Sequence, residues 1–327
     1  MTMLSRVAER MYWFGRYLER MENTSRLVNV NANLLLDLPW VIRHVWDSLI
    51  NISGSADIFF EKYENAGERN VIRFLLADES YSGSLICSIR MMRENVRTTR
   101  EIMPSEAWEQ INEFYLYARS DVQKALRRKG RHEFLDDTIS FCHQITGLLA
   151  GCMSHGEAYN FIRIGRNLER ADMTTRIVDV GCMNLLTGKE DIPETYDNIL
   201  WMNVLRSITA YQMYRQHVQD RVNGEDVVEF LMKDVTFPRA VAHCLGELGQ
   251  CVSQLPRNDH PLRSMTRVQR MISEMDVPKL FENNLHDFID QLQVELADIH
   301  GQVAQTWFDY GPPVQEQNGQ TQTQLQK

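Results

Sequence analysis

The chain has 327 residues, 43% hydrophobic and 24% charged, which excludes a wholly disordered protein and provides for one large core or two ordinary ones. A net charge of −9 argues against a nucleic-acid binder, which carries a basic excess. No stretch approaches the roughly 18 apolar residues of a membrane helix, and Met1 to Arg10 lacks the apolar core of a signal peptide.

Pro and Gly number only 9 and 17, so long uninterrupted helices are favoured over short strands and turns. The first predicted element is a helix over 5–36, with Ser5 as N-cap and Pro39 as the stop. Its apolar or small residues at Val7, Met11, Phe14, Leu18, Met21, Ser25, Val28, Ala32 and Leu35 step by four and three along one face. A second helix is expected over 41–53, another after the turn at Asp78, then 105–129 and 134–149. The basic run Arg127-Arg128-Lys129-Gly130-Arg131-His132 between the last two reads as a solvated turn, with a phosphate-binding loop as the alternative.

A new long helix over 157–186 repeats the seam at Phe161, Ile164, Leu168, Ala171, Thr175, Val178, Cys182 and Leu185, and Gly188 and Pro193 punctuate its exit. Helices are expected over 198–223, after Asp234, over 263–275 and over 280–307. The Gln-rich segment 312–327 has no apolar periodicity and is expected to be disordered.

At an offset of 150, Gly15-Arg16-x-Leu18-Glu19-Arg20 meets Gly165-Arg166-x-Leu168-Glu169-Arg170, and eleven of the twenty-two positions from Gly15 to Leu36 are identical. At an offset of 156, Val71 to Asp78 meets Val227 to Asp234. The expected fold is all-α: a helical bundle of one domain over 1–311, made of two tandem units (about 1–150 and 151–311) related by a pseudo-twofold.

Beside the apolar seam runs Gly15, Glu19, Glu22, Arg26, and in the second copy Gly165, Glu169, Asp172, Arg176. Steps of four, three and four put each set on one helix face. Facing stripes would gather four carboxylates with Arg26 and Arg176, joined by Arg16, Arg20, Arg166 and Arg170. Three readings stay open. One is a reciprocal ion-pair network, with Glu22–Arg26 and Asp172–Arg176 as i,i+4 pairs and Glu19 and Glu169 reaching Arg of the other copy. The second is a carboxylate metal site, which the absence of Glu-x-x-His disfavours, so no metal is expected. The third is a polar pocket that takes a small anionic or peptide-like ligand through Arg. A secondary polar set, Arg93, Glu94, Asn95 and Arg97, is either a solvated salt-bridged face or a second wall of that pocket.

No Gly-rich phosphate loop, nucleophile elbow or Cys/His nucleophile context is present, and no cofactor is expected. The six cysteines form no C-x-x-C pair and several sit among apolar neighbours, which fits buried, reduced thiols in the cytoplasm.

The opening Leu4-Ser5-Arg6-Val7-Ala8-Glu9-Arg10-Met11-Tyr12-Trp13-Phe14-Gly15-Arg16-Tyr17-Leu18-Glu19-Arg20 resembles that of the bacterial Alpha-E family, a helical domain named for its Glu-Arg motif. The likeness continues through Arg93-Glu94-Asn95, Trp108-Glu109-Gln110-Ile111-Asn112, Leu168-Glu169-Arg170-Ala171-Asp172 and Phe237-Pro238-Arg239-Ala240. The resemblance implies an all-helical domain encoded beside, or fused to, a circularly permuted ATP-grasp protein, often with a transglutaminase-like protease nearby. An ATP-grasp partner phosphorylates a carboxylate and joins it to an amine, so the implied setting is peptide or amide-bond synthesis, or protein tagging. Two roles follow: a non-catalytic partner that binds the ligase and positions its acceptor, or an enzyme that uses Glu19 and Glu169 as acid/base groups.

Overall fold

Two helices longer than the rest set the frame. α1 (Ser5–Asp37) and α8 (Glu157–Thr187), of 33 and 31 residues, each run for somewhat under 50 Å at ~1.5 Å per residue. The apolar seam of each is buried: Met11, Phe14, Leu18, Met21 and Val28 on α1, and Phe161, Ile164, Leu168, Ala171 and Val178 on α8. The computed structural model describes residues 3–37, 45–187, 197–218 and 220–308. The expected stops at Pro39, Gly188 and Pro193, the start of the helix expected from 41, and the Gln-rich tail 312–327 lie outside the described residues.

Among the described residues every regular element is helical. After α1 come α2 (Val45–Ile52), α3 (Ala56–Phe60), α4 (Glu68–Ala77), α5 (Leu85–Arg97), a 3-10 turn (Arg100–Ile102), α6 (Ser105–Ala125) and α7 (Arg128–Cys152). After α8 come α9 (Asp197–Ser207), α10 (Tyr211–His217), α11 (Gly224–Lys233), α12 (Val241–Ser253), α13 (Asp259–Ser273), α14 (Val277–Asn283) and α15 (Leu285–Trp307). α5 and α7 flank α1, with α6 closing a four-helix group; α12 and α15 flank α8, with α13 closing a second. The groups meet along α1 and α8, and their second helices cross over: α2 packs on α8 and α9 on α1.

Three boundaries differ from expectation for local reasons. The helix expected over 198–223 breaks after Ser207. There Thr209 takes a left-handed φ of 58°, its N–H donates to the Arg206 carbonyl (3.0 Å), and Ala210 N–H donates to the Leu205 carbonyl (2.7 Å). This is a Schellman cap with Thr where Gly is usual. α2 ends on the same cap, with Gly54 at φ 63°, Gly54 N–H to Asn51 (2.9 Å) and Ser55 N–H to Ile50 (3.4 Å). The helix expected over 280–307 is two, α14 and α15, separated at Asn284 (φ −136°, ψ 18°). The basic run is mostly helix and not turn: α6 stops at Ala125 and α7 starts at Arg128, so the connection is only Leu126 and Arg127.

Five cysteines, Cys87, Cys142, Cys182, Cys244 and Cys251, are buried and free, while Cys152 is free and exposed. No helix of the described residues is long and apolar enough to cross a membrane.

Candidate functional site

Where α1 and α8 cross, each offers a glycine to the backbone of the other. A Cβ on Gly15 would press into the Ile162 carbonyl oxygen, and a Cβ on Gly165 into the Tyr12 carbonyl oxygen, both well inside van der Waals contact. The same two sites also lie against the amide nitrogens of Arg166 and Arg16 respectively. Partners keep an offset near 150 along both helices, so the helices run parallel, and close approach requires the absence of a side chain at both points.

One turn further on, the Glu-Arg motifs exchange partners. Glu19 accepts from Arg170 through Nε (2.9 Å) and Nη2 (2.7 Å), a bidentate fork. Glu169 accepts from Arg20 through Nε (2.6 Å) and Nη2 (3.0 Å), and from Arg16 Nε. Arg166, the counterpart of Arg16, comes only to 3.7 Å of Glu19, and its buried Nε donates to no described group. Both glutamates are almost wholly buried, at 1% and 2% exposure, a setting in which a carboxylate persists only when paired.

The two ends are not equivalent. Arg239, just before α12, joins the Glu19 end: Nη1 donates to Glu19 Oε1 (3.0 Å) and Asn23 Oδ1 (2.7 Å), and Nη2 to Glu22. The segment is fixed to α8 by its backbone, since the Pro238 carbonyl accepts from Arg170 (3.2 Å) and the Arg239 carbonyl from Thr174 (2.9 Å). Glu22 also accepts from Arg26 (3.0 and 3.1 Å), and His143 of α7 lies 3.1 Å away. At the Glu169 end, Asp172 accepts from Arg176 (3.1 Å) and lies at the half-exposed edge. Among the described residues no arginine from a third element joins there. The offset of 156 puts Gly83 where Arg239 stands, and the rings two positions earlier obey the same register: Tyr81 stacks on Phe74 (4.0 Å) and Phe237 on Phe230 (5.1 Å).

Burial alone would raise the Glu19 pKa, but Arg170 and Arg239 outweigh it and hold the group below its ordinary value. Burial opposes and Arg239, His143 and Arg26 prevail at Glu22, which is held well down. At Glu169 burial is likewise overcome by Arg16 and Arg20, which bring the pKa to about 2. These three carboxylates are therefore ionised at neutral pH, unable to donate a proton and poor at accepting one. Against the four acids stand seven guanidiniums (Arg16, Arg20, Arg26, Arg166, Arg170, Arg176 and Arg239), so a cationic surplus sits at the centre of an acidic chain. Tyr12, fully buried, closes one side by accepting from Arg16 Nη1 (3.1 Å) and pairing with His300 Nδ1 (2.7 Å).

Of the ten stripe residues, Arg16, Glu19, Arg20, Arg166, Glu169 and Arg170 meet across the α1–α8 contact, whereas Glu22 and Arg26 turn to Arg239 and His143 and Asp172 pairs with Arg176 within α8. The secondary set does not join them. Arg93 donates to Asn112 (2.8 Å) and lies over the rings of Trp108 and Tyr115 on α6, while Glu94 accepts from Arg97 (2.8 Å). No described hydrogen bond or ion pair links these four residues to the network; Arg93 braces α5 against α6, and Glu94 and Arg97 pair along α5. Sequence reasoning passed over Arg239, Asn23 and His143 as site residues. The only signal for Arg239 was its place in Phe237-Pro238-Arg239-Ala240.

Outside the network, Asp179, His286 and Asp290 bring their ligand-capable atoms within 4.8 Å of one another. His286 Nδ1 pairs with Asp179 (2.7 Å) and Nε2 faces Asp290 (3.6 Å), so both ring nitrogens already bridge carboxylates. The hydrogen bond to Asp179 raises the His286 pKa, while burial raises that of Asp179 against the pull of the imidazole.

The chain belongs to the Alpha-E family, described as a predicted alpha-helical domain with a conserved ER motif, whose family model matches residues 3–308. It is also similar to uncharacterised proteins of Mycobacterium bovis and of two Mycobacterium tuberculosis strains, each 22% identical over 319 residues. The matches cover 90% of this chain but 34% of each relative, so the chain spans about a third of the length of the curated relatives it matches. No solved structure matches.

Proposed function

We propose that this chain is a non-catalytic partner of a circularly permuted ATP-grasp ligase, binding the ligase and positioning the acceptor for peptide or amide-bond formation or tagging. The observation that carries the non-catalytic half is the state of the carboxylates. Glu19, Glu22 and Glu169 each accept charge-assisted bonds from at least two arginines, and all three are held ionised. A general acid or base needs a pKa near the working pH. The network instead reads as a lock that fixes the register of α1 on α8. The ligase half follows from the family resemblance, and the relatives support a modular role, because two thirds of their length lies beyond the shared region.

The lock is best understood as the product of a duplication, with the two halves about a pseudo-twofold. Supporting this are the paired glycines, the exchanged Glu-Arg partners, the matching helix caps and the crossed second helices. The free buried thiols suit a reducing cytoplasm, and a transglutaminase-like protease is a further expected neighbour.

Affinity purification from the native host, followed by mass spectrometry, tests the reading. An ATP-grasp protein is expected in the complex, with ATP-dependent amide formation that persists in Glu19→Gln as long as the variant still assembles. Recovery without such a protein, or lost turnover with assembly intact, overturns it. A second reading, an anionic-ligand pocket at the same place, is favoured by the surplus of guanidiniums and the unpartnered Arg166 Nε. Small molecules released on denaturation of the purified chain distinguish it.

A further inference from the structure

Away from the Glu-Arg network, α4, the end of α6 and the start of α7 enclose a cavity of about 480 Å³. Five arginines line it (Arg69, Arg73, Arg127, Arg128 and Arg131), with a single carboxylate, Glu68. Arg131 is buried and fixed, donating to the Ala125 carbonyl (3.2 Å) and to Glu68 (2.8 Å). Arg128 also holds Glu68 (3.0 Å). Glu68 is therefore already taken by two guanidiniums. Arg69, Arg73 and Arg127 make no hydrogen bond or ion pair to any described side chain, although they converge on one concavity in a chain of net charge −9. Arg131 lies twelve residues from His143, ~18 Å along α7, so this place is distinct from the lock.

We propose that this cavity binds a small polyphosphate, a bare chain of two or three phosphoryl groups or the same group on a nucleotide. Three observations support that chemistry. The guanidinium fork matches phosphate oxygens two at a time, and every cation lining the cavity is Arg. The local surplus of four positive charges is balanced by a tri- or tetra-anion and not by a monocarboxylate. The lining includes no aromatic ring on which a base would stack, so the phosphates supply the recognition and a nucleoside adds little. The volume lies within the ~300–1,000 Å³ range of small-ligand sites. The N-terminus of the 25-residue α7, whose N-cap Arg127 makes no side-chain capping bond, adds its dipole at the same corner.

Isothermal titration calorimetry of the full chain with inorganic tripolyphosphate tests this, with pyrophosphate, ATP and GTP as parallel titrants. Saturable one-to-one binding of tripolyphosphate is expected, with ATP and GTP equal to each other. Arg69→Gln and Arg73→Gln, both exposed and making no hydrogen bond or ion pair among the described residues, are expected to weaken it at least tenfold while leaving the thermal melt unchanged. Arg270→Gln, at an exposed position of α13, removes the same charge elsewhere and is expected to leave affinity unchanged. Absence of saturable binding, full affinity in both cavity variants, or an equal loss in Arg270→Gln overturns the site. ATP binding much tighter than both GTP and tripolyphosphate overturns its assignment to bare phosphates.

Discussion

The two ends of the central network begin from the same five residues of a six-residue signature, Gly-Arg-x-Leu-Glu-Arg, and finish differently. At the Glu169 end two arginines of α1 satisfy one buried carboxylate, and Asp172 with Arg176 lies apart at the edge. At the Glu19 end Arg239 enters from a third element and ties Glu19, Glu22 and Asn23 together, where the register of the other half has Gly83. The shared part fixes how the two long helices meet. The added part makes one end a multi-element junction, and there Arg166 is displaced from the bond its counterpart Arg16 makes.

That contrast can be broken at its charges first. Glu19→Ala removes the buried carboxylate that Arg170, Arg239 and Arg166 all face, and is expected to cost about 4 kcal/mol. Glu169→Ala strands only Arg16 and Arg20, whose side chains are 13% and 24% exposed, and about 3 kcal/mol is expected. Urea unfolding of both variants gives the ordering, and equal losses would remove the distinction between the ends.

The glycines should show no such asymmetry. Gly15→Ala and Gly165→Ala each drive a methyl group into a backbone carbonyl that cannot rotate away, so about 3 kcal/mol is expected from each. Equal falls in the melting temperature are the predicted result, because the two contacts are reciprocal.

Acid should weaken both ends. A carboxyl with a depressed folded pKa stabilises the fold above its unfolded value and loses that contribution as pH falls through the folded one. For Glu169, from an ordinary value of 4.5 to about 2, this is on the order of 3 kcal/mol, lost between those pH values. Stability against urea is therefore expected to fall across that window, with Glu169→Gln showing a shallower fall. Smallest is the effect of Arg239→Gln, about 1–2 kcal/mol, because Arg170 still holds Glu19 and Arg26 still holds Glu22. After that change the Glu19 end should resemble its counterpart.

Much of this was legible in the residues. The offset of 150 marked two long helices that carry the same Glu-Arg signature, and steps of four, three and four marked the face on which their charges lie. Helix periodicity says nothing about caps that break a rule, which is why the Schellman turn was missed at Thr209 while its counterpart uses Gly54. It also does not reveal which loop arginine folds back. Arg239 lies over two hundred residues from its carboxylates, and only tertiary packing brings it there. The charged neighbours of Arg131 predict a solvated turn, yet α7 begins early enough to bury it against Glu68. The resemblance supplied a family and an expected partner, neither of which periodicity could give.

Everything above turns on the Glu-Arg carboxylates being ionised locks and not proton carriers. Side-chain carboxyl NMR of ¹³C-glutamate-labelled protein tests it most directly, with Glu19→Gln and Glu169→Gln to assign the two signals. Neither signal is expected to shift between pH 6 and 8, both remaining those of a carboxylate. A titration midpoint above about 5 for either group would contradict the lock and restore an acid/base role.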